Sequence, residues 1–145
     1  MRIYLDTCSI QRPLDSKTQI WIVLEADAVL GILALSEAGM VELVSSDALL
    51  FEVSRTPNVT RQEYAYEILS RATSFVALDA KVEQRARELN AVSIKPLDAL
   101  HLASAETVDA SLCTCEDRLL KKAQQIEGLR TRVLSPLDVI EEIEK

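Results

Sequence analysis

The run Arg2–Ile3–Tyr4–Leu5–Asp6–Thr7–Cys8–Ser9 begins as a short apolar, β-prone segment and stops abruptly at an aspartate. A run of this length reads as a buried strand. Burying a carboxylate without a partner is costly, so Asp6 at the strand's carboxyl end calls for an explanation. In open α/β sheets the ligand crevice lies just outside such strand ends. Asp6 is therefore expected to be the first member of an acidic, metal-binding catalytic cluster.

The remainder of the chain alternates in the same idiom. A polar loop is expected from Thr7 to Lys17, then a long helix from about Thr18 to Ala38, closed by Gly39. Val41–Val44 reads as a second strand, and Ser45–Ser46–Asp47 supplies N-cap types for a helix carrying Leu49, Leu50, Phe51 and Val53. A helix over Thr60–Ala72 leads to a third strand, Ser74–Leu78. Asp79 is placed to cap a helix running to Leu89, and Pro96 to open another running to Thr107. Ser111–Cys115 is the fourth strand, followed by a helix over Asp117–Ile126. Thr131–Leu134 is the fifth strand, and Ser135–Pro136 starts a last helix with Leu137, Ile140 and Ile143 inward. Strands alternating with helices imply a three-layer α/β/α arrangement around a parallel sheet of about five strands. One domain over residues 1–145 is the expected organisation.

Bulk properties narrow the function. A hydrophobic fraction of 48% with only 4% aromatic residues describes a globular chain with an aliphatic core. No apolar run is long enough to span a bilayer, and Asp6 interrupts the only N-terminal hydrophobic stretch, so neither a membrane span nor a signal peptide is expected. Three cysteines without framework spacing favour a reducing cytoplasm. A net charge of −7 argues against a simple nucleic-acid-binding module. It leaves room for an enzyme that grips phosphate through a local cationic patch and bound metal ions.

Several acids fall near the carboxyl edge of such a sheet: Asp6 after strand one, Glu52 on the helix after strand two, Asp98 in the first turn opened by Pro96, and Glu116 and Asp117 after strand four. Gathered at one edge they would repel one another unless a cation joined them. Hard oxygen ligands of this kind suit Mg²⁺ or Mn²⁺, which activate water and stabilise charge in phosphodiester hydrolysis. Taken singly, each acid has a plainer account: Glu52 as an exposed helix residue, Asp98 as a favourable charge at a helix start, Glu116 and Asp117 as a helix cap. The combination carries the argument.

That combination resembles the PIN-domain family. Leu5–Asp6–Thr7–Cys8, the Glu52 segment, Lys95–Pro96–Leu97–Asp98–Ala99–Leu100–His101–Leu102–Ala103–Ser104–Ala105 and Thr114–Cys115–Glu116–Asp117–Arg118–Leu119–Leu120 occur in the family's order and span nearly the whole chain. The Asp98 block is the most specific. The resemblance implies a metal-dependent, single-strand-cutting ribonuclease, most often the VapC-type toxin of a toxin–antitoxin pair, leaving a 5′-phosphate and a 3′-hydroxyl. By carry-over, Asp6, Glu52 and Asp98 would be Mg²⁺ or Mn²⁺ ligands. The family's fourth acid is usually an aspartate two positions after a threonine. Here that position, counted from Thr114, holds Glu116, and the aspartate is displaced to Asp117; Glu116 ranks first and Asp117 second. The implied partners are an RNA substrate, a cognate antitoxin and a second copy of the chain.

Thr114 and Ser9 are candidates to support ligand carboxylates. His101, the only histidine, can share a helix face with Asp98, although among Leu100, Leu102 and Ala103 a packed or hydrogen-bonded role is the expectation. Cys8, Cys113 and Cys115 lack zinc-site spacing. Arg12, Lys17, Arg55, Lys95, Arg118, Lys121 and Lys122 are candidate phosphate contacts, while Trp21, Ile22 and Val29 offer a candidate partner face. A receiver-type phosphoacceptor using Asp79 with Lys95–Pro96 fails on spacing, since one helix fills the gap. A haloacid-dehalogenase-like phosphatase fails because Cys8 stands where a second aspartate is needed. A PIN-like RNA- or protein-binding module with weakened catalysis is the remaining alternative, and Glu116 is its only sequence support.

Overall fold

The computed structural model covers residues 1–145. Five strands form one sheet: β1 Arg2–Leu5, β2 Glu42–Ser46, β3 Ser74–Val76, β4 Ser111–Cys113 and β5 Val133–Leu134. Every pairing is parallel, and the spatial order is β3-β2-β1-β4-β5. Eight helices accompany it: α1 Thr7–Gln11, α2 Ile20–Glu37, α3 Asp47–Ser54, α4 Val59–Ser70, α5 Ala80–Ala91, α6 Pro96–Thr107, α7 Asp117–Gln124 and α8 Pro136–Glu144. No helix is long and apolar enough to cross a membrane.

The central strand explains the layering. Ile3, Tyr4 and Leu5 are buried and flanked by equally buried residues of β2 and β4. A parallel strand apolar on both faces requires cover on both sides, which the helices provide. The chain leaves β1 towards β2 and β3 on one side and returns to β4 and β5 on the other. The β1–β4 junction is thus the topological switch point, where open α/β sheets place their crevice. Register Leu5↔Cys113 sets Asp6 and Thr114 side by side just beyond the two strand ends. Asp6 is still tied to the sheet, its backbone N–H donating to the Cys113 carbonyl at 3.1 Å.

The structure corrects the sequence reading in several places. The expected Thr7–Lys17 loop is α1 followed by a single 3-10 turn, Arg12–Leu14. Asp6 itself starts α1 by accepting from the Ser9 backbone N–H, and a helix of five residues is too short for periodicity to reveal. Strand β4 ends at Cys113, so Cys115 lies beyond it. In α8 Val139 is fully covered, a residue the sequence reading did not single out; Ile140 and Ile143 do pack against the core, and with Leu137 they line a groove of about 730 Å³ against Leu24, Ala28 and Leu35 of α2. Trp21 is exposed and Val29 wholly buried, so the expected partner face of α2 is divided between solvent and core.

Other expectations hold. Asp79 caps α5, Pro96 stands in the first turn of α6, and Ser135 forms a capping box with Asp138 at α8. Leu112 sits at the centre of β4 with no solvent exposure. Leu112→Ala should lower unfolding free energy by about 2–5 kcal/mol in chemical denaturation, the range for a buried leucine that leaves a cavity.

Candidate functional site

Asp6 is the most buried of the candidate acids. Its Oδ1 accepts from the Ser9 N–H at 3.0 Å and from the Cys8 thiol at 3.0 Å. Burial pushes its carboxyl well above the ordinary aspartate value; the neighbouring Cys8 adds to that, and Thr114 and the Ser9 N–H pull the other way. The hydroxyl of Ser9 does not support a ligand carboxylate: it donates to the Cys113 carbonyl at 3.0 Å.

Glu52 arrives on α3, whose start is fixed by Ser46 accepting from the Leu49 N–H at 3.0 Å. Its Oε1 accepts from the Thr7 hydroxyl and lies 3.0 Å from His101 Nε2. The other ring nitrogen of His101 is 2.6 Å from the Tyr4 hydroxyl, which is 2.6 Å from the Ser46 hydroxyl. One proton assignment satisfies the whole chain: Ser46 donates to Tyr4, Tyr4 donates to His101 Nδ1, and Nε2–H donates to Glu52. Burial alone would push Glu52 up, but the hydrogen bonds from His101 and Thr7 prevail and its carboxyl lies below the usual value. His101 is thus packed and hydrogen-bonded, as expected, and its partner is one of the candidate acids. Tyr4 and Thr7 were not legible as site residues. Tyr4 reads simply as strand, and Thr7 gains its role only when α1 folds back beside α3.

Asp98 stands in the first turn of α6, which packs against α3. Burial is the main cause of its raised carboxyl pKa, followed by the negative charge of Glu116; Glu52 pushes the same way, while His101 and Lys95 pull it down. Glu116 occupies the N-cap position of α7, and its backbone N–H donates to Thr114 Oγ1 at 3.0 Å. Asp98 and Glu116 line one pocket of about 130 Å³ with Ser93, Lys95, Arg118 and Lys122. Neither carboxylate accepts a side-chain hydrogen bond, and both reach solvent. Asp117 is exposed and registers instead at Glu25 of α2, which the Arg12 guanidinium holds at 3.1 Å.

The structure sets Asp98 within electrostatic reach of both Glu116 and Glu52, and Asp6 stands at the β1–β4 switch. It does not close them into a cage, since no three His, Cys, Asp or Glu side chains are grouped to hold a metal directly. Their chemistry nonetheless fits a hydrated divalent cation: hard oxygens, net negative, and two of them without partners. Mg²⁺ commonly uses one or two carboxylates and keeps its remaining waters.

Without a cation these acids burden the fold in a pH-dependent way. Asp6 and Asp98 hold protons more tightly in the folded chain than in the unfolded one. Stability accordingly falls as pH rises from the ordinary aspartate value through the raised one. Glu52 has the opposite sign: its contribution is present at neutral pH and lost as pH falls through its lowered value. Asparagine can still cap α1. In chelator, Asp6→Asn should gain Tm relative to wild type as pH rises from about 4 towards neutrality; a pH-independent difference would contradict the assignment.

Comparison with known proteins agrees with this geometry. A family model described as PIN domain matches residues 3–125. Comparison with curated proteins gave no match. Among solved structures, the chain is similar to FitAcB from Neisseria gonorrhoeae, at 20% identity and TM-score 0.56, covering 93% of this chain and 98% of that one. It is similar to VapBC2 from Rickettsia felis, bound to a DNA fragment from their promoter, at 17% identity and TM-score 0.57, covering 93% and 98%. VapBC-1 from nontypeable Haemophilus influenzae gives 16% identity and TM-score 0.57, covering 94% and 99%. These likenesses show the fold, and the family model shows the kinship: the chain belongs to the PIN-domain family, whose members are generally nucleases using divalent metal.

Proposed function

We propose that this protein is a divalent-metal-dependent endoribonuclease, the toxin of a type II toxin–antitoxin pair, acting in the cytoplasm. The observation that carries the reading is the pair Asp98 and Glu116, two unpartnered carboxylates facing one pocket beside Glu52. Such a pair is electrostatically incomplete, and a cation is the simplest complement. The structural neighbours are VapBC and FitAB complexes, which supports a small antitoxin as partner; a second copy of the chain is a further proposed partner.

Asp98 and Glu116 would hold hydrated Mg²⁺ or Mn²⁺, with Glu52 and Asp6 as further ligands through its waters. A bound cation of this class supplies Lewis-acid activation of water and neutralises charge on the phosphodiester. The chain's own residues hold the acids in place. Thr7 and His101 fix Glu52, keep it ionised and leave its second oxygen free of protein donors. Tyr4 and Ser46 fix His101 in turn. Thr114 holds the Glu116 backbone. His101 and Thr7 are positioning residues, acting through Glu52.

Glu116, rather than Asp117, is the fourth acid on this reading, because it shares the pocket with Asp98. Its side chain is one methylene longer than the family's usual aspartate and starts from the same position after Thr114. The binding-module alternative rests on that substitution alone.

Purified protein should cleave single-stranded RNA in Mg²⁺ or Mn²⁺ and not in chelator. Asp98→Asn should lower kcat/KM by about 100-fold or more, in line with loss of a transition-state charge stabiliser. Equal cleavage by variant and wild type would mean a contaminating nuclease. RNA binding without cleavage by clean wild type would favour the binding module. In the same assay Glu116→Gln should cost more than Asp117→Asn; the reverse order would move the fourth ligand to Asp117.

A further inference from the structure

Seven cations were candidates for phosphate contact, and the structure disposes of them unequally. Arg12 is engaged with Glu25 at 3.1 Å and Asp15 at 2.8 Å. Lys17 donates to the Pro13 and Asp15 carbonyls at 2.5 and 2.9 Å. The Arg55 guanidinium lies over the Phe51 ring, 5.1 Å from its centroid. Lys121 is exposed and lies outside the acidic pocket. Lys95, Arg118 and Lys122 all line that pocket with Asp98 and Glu116, and none makes an ion pair or a side-chain hydrogen bond.

Three unpaired cations in one pocket of a chain with net charge −7 need a reason. The two acids beside them account for it only in part: Lys95 draws the Asp98 carboxyl down, yet no N–O distance closes to a salt bridge although both signs share the lining. They come from two separate elements. Lys95 precedes α6 in a turn where Ser93 adopts positive φ, 78°, and Arg118 and Lys122 lie one turn apart on α7. The pocket, about 130 Å³, has no aromatic lining residue, so it offers charge without a stacking platform for a base. That combination suits backbone phosphate, the part of a nucleic acid that positions without reading sequence.

Resting on the nuclease reading above, we infer that Lys95, Arg118 and Lys122 form a phosphate subsite. It holds a backbone phosphate of the single strand next to the one that faces the acids. Cleavage would then demand a substrate extending past the scissile bond on this side, while base identity would be read elsewhere or not at all. The subsite also gives an acidic protein a way to bind a polyanion: charge is concentrated where the strand must lie and is absent from the molecule's net balance.

The test measures binding apart from cleavage. Fluorescence anisotropy of a short labelled single-stranded oligouridylate is followed in chelator. The proteins are wild type, Lys95→Gln/Arg118→Gln/Lys122→Gln, and a control of equal charge change, Lys17→Gln/Lys81→Gln/Arg87→Gln. The subsite variant should bind about tenfold more weakly, and its slope of log K against log salt should shrink by about 0.7 for the lost phosphate contact. The control should keep both closer to wild type. In Mg²⁺ the subsite variant should raise KM with kcat largely retained. Equal affinity and slope for the two triple variants would overturn the subsite, as would wild type failing to bind. Selective loss of binding in the subsite variant, beside a wild type that binds but does not cleave, would leave the subsite standing and remove the nuclease reading; unchanged binding in that variant beside metal-dependent cleavage by wild type would do the reverse.

Discussion

A carboxylate held out of water at the end of the central strand sets the terms for the structure around it. Asp6 is placed by the parallel register of β1 on β4, and its charge is opposed by burial far more than it is relieved by any hydrogen bond. The chain answers with the first turn of α1, the Thr114 hydroxyl and a thiol, none of which carries positive charge. A fold selected for stability alone would place an apolar residue or an asparagine here. The site instead keeps a carboxyl group with no cationic partner, and adds Asp98 and Glu116 within reach of each other. Such an arrangement makes physical sense when a cation completes it.

The second organising feature is the hydrogen-bonded line Ser46–Tyr4–His101–Glu52, which crosses from β2 through β1 to α6 and α3. It joins four elements whose relative positions decide where Glu52 points. Each hydroxyl and ring nitrogen in it finds a partner, so the line rigidifies what would otherwise be a costly buried network. It also separates the acids by behaviour. Glu52 is held ionised by its donors, while Asp6 and Asp98 are pushed towards the protonated form. Acids with opposed shifts in one crevice are a signature of functional sites.

The parallel α/β architecture was legible because β1, β2 and β4 are short apolar runs separated by long helical patterns, and because Asp79, Pro96 and Ser135 mark helix starts without ambiguity. The acids were legible for the same reason: each follows a strand or opens a helix at the edge where such folds bind ligands. What escaped the sequence was local or tertiary in origin. The α1 turn is stabilised by the Asp6 cap rather than by any apolar period. The role of Tyr4 depends on His101, nearly a hundred positions away. Glu116 ranked ahead of Asp117 on its spacing from Thr114, but that it lines one pocket with Asp98 depends on how α6 and α7 pack and could not be read from spacing. The sorting of seven cations into three free ones and four occupied or displaced ones likewise required the partners to be in place.

The central claim is that Asp98 and Glu116 hold a divalent cation. Titration of Mn²⁺ into the chelator-stripped protein, with free ion followed by electron paramagnetic resonance, addresses it without any substrate. The account predicts saturable binding by wild type that is lost or weakened at least about tenfold in Asp98→Asn and in Glu116→Gln, and retained in Asp117→Asn. Undiminished binding in both Asp98→Asn and Glu116→Gln, or none in wild type, would contradict it.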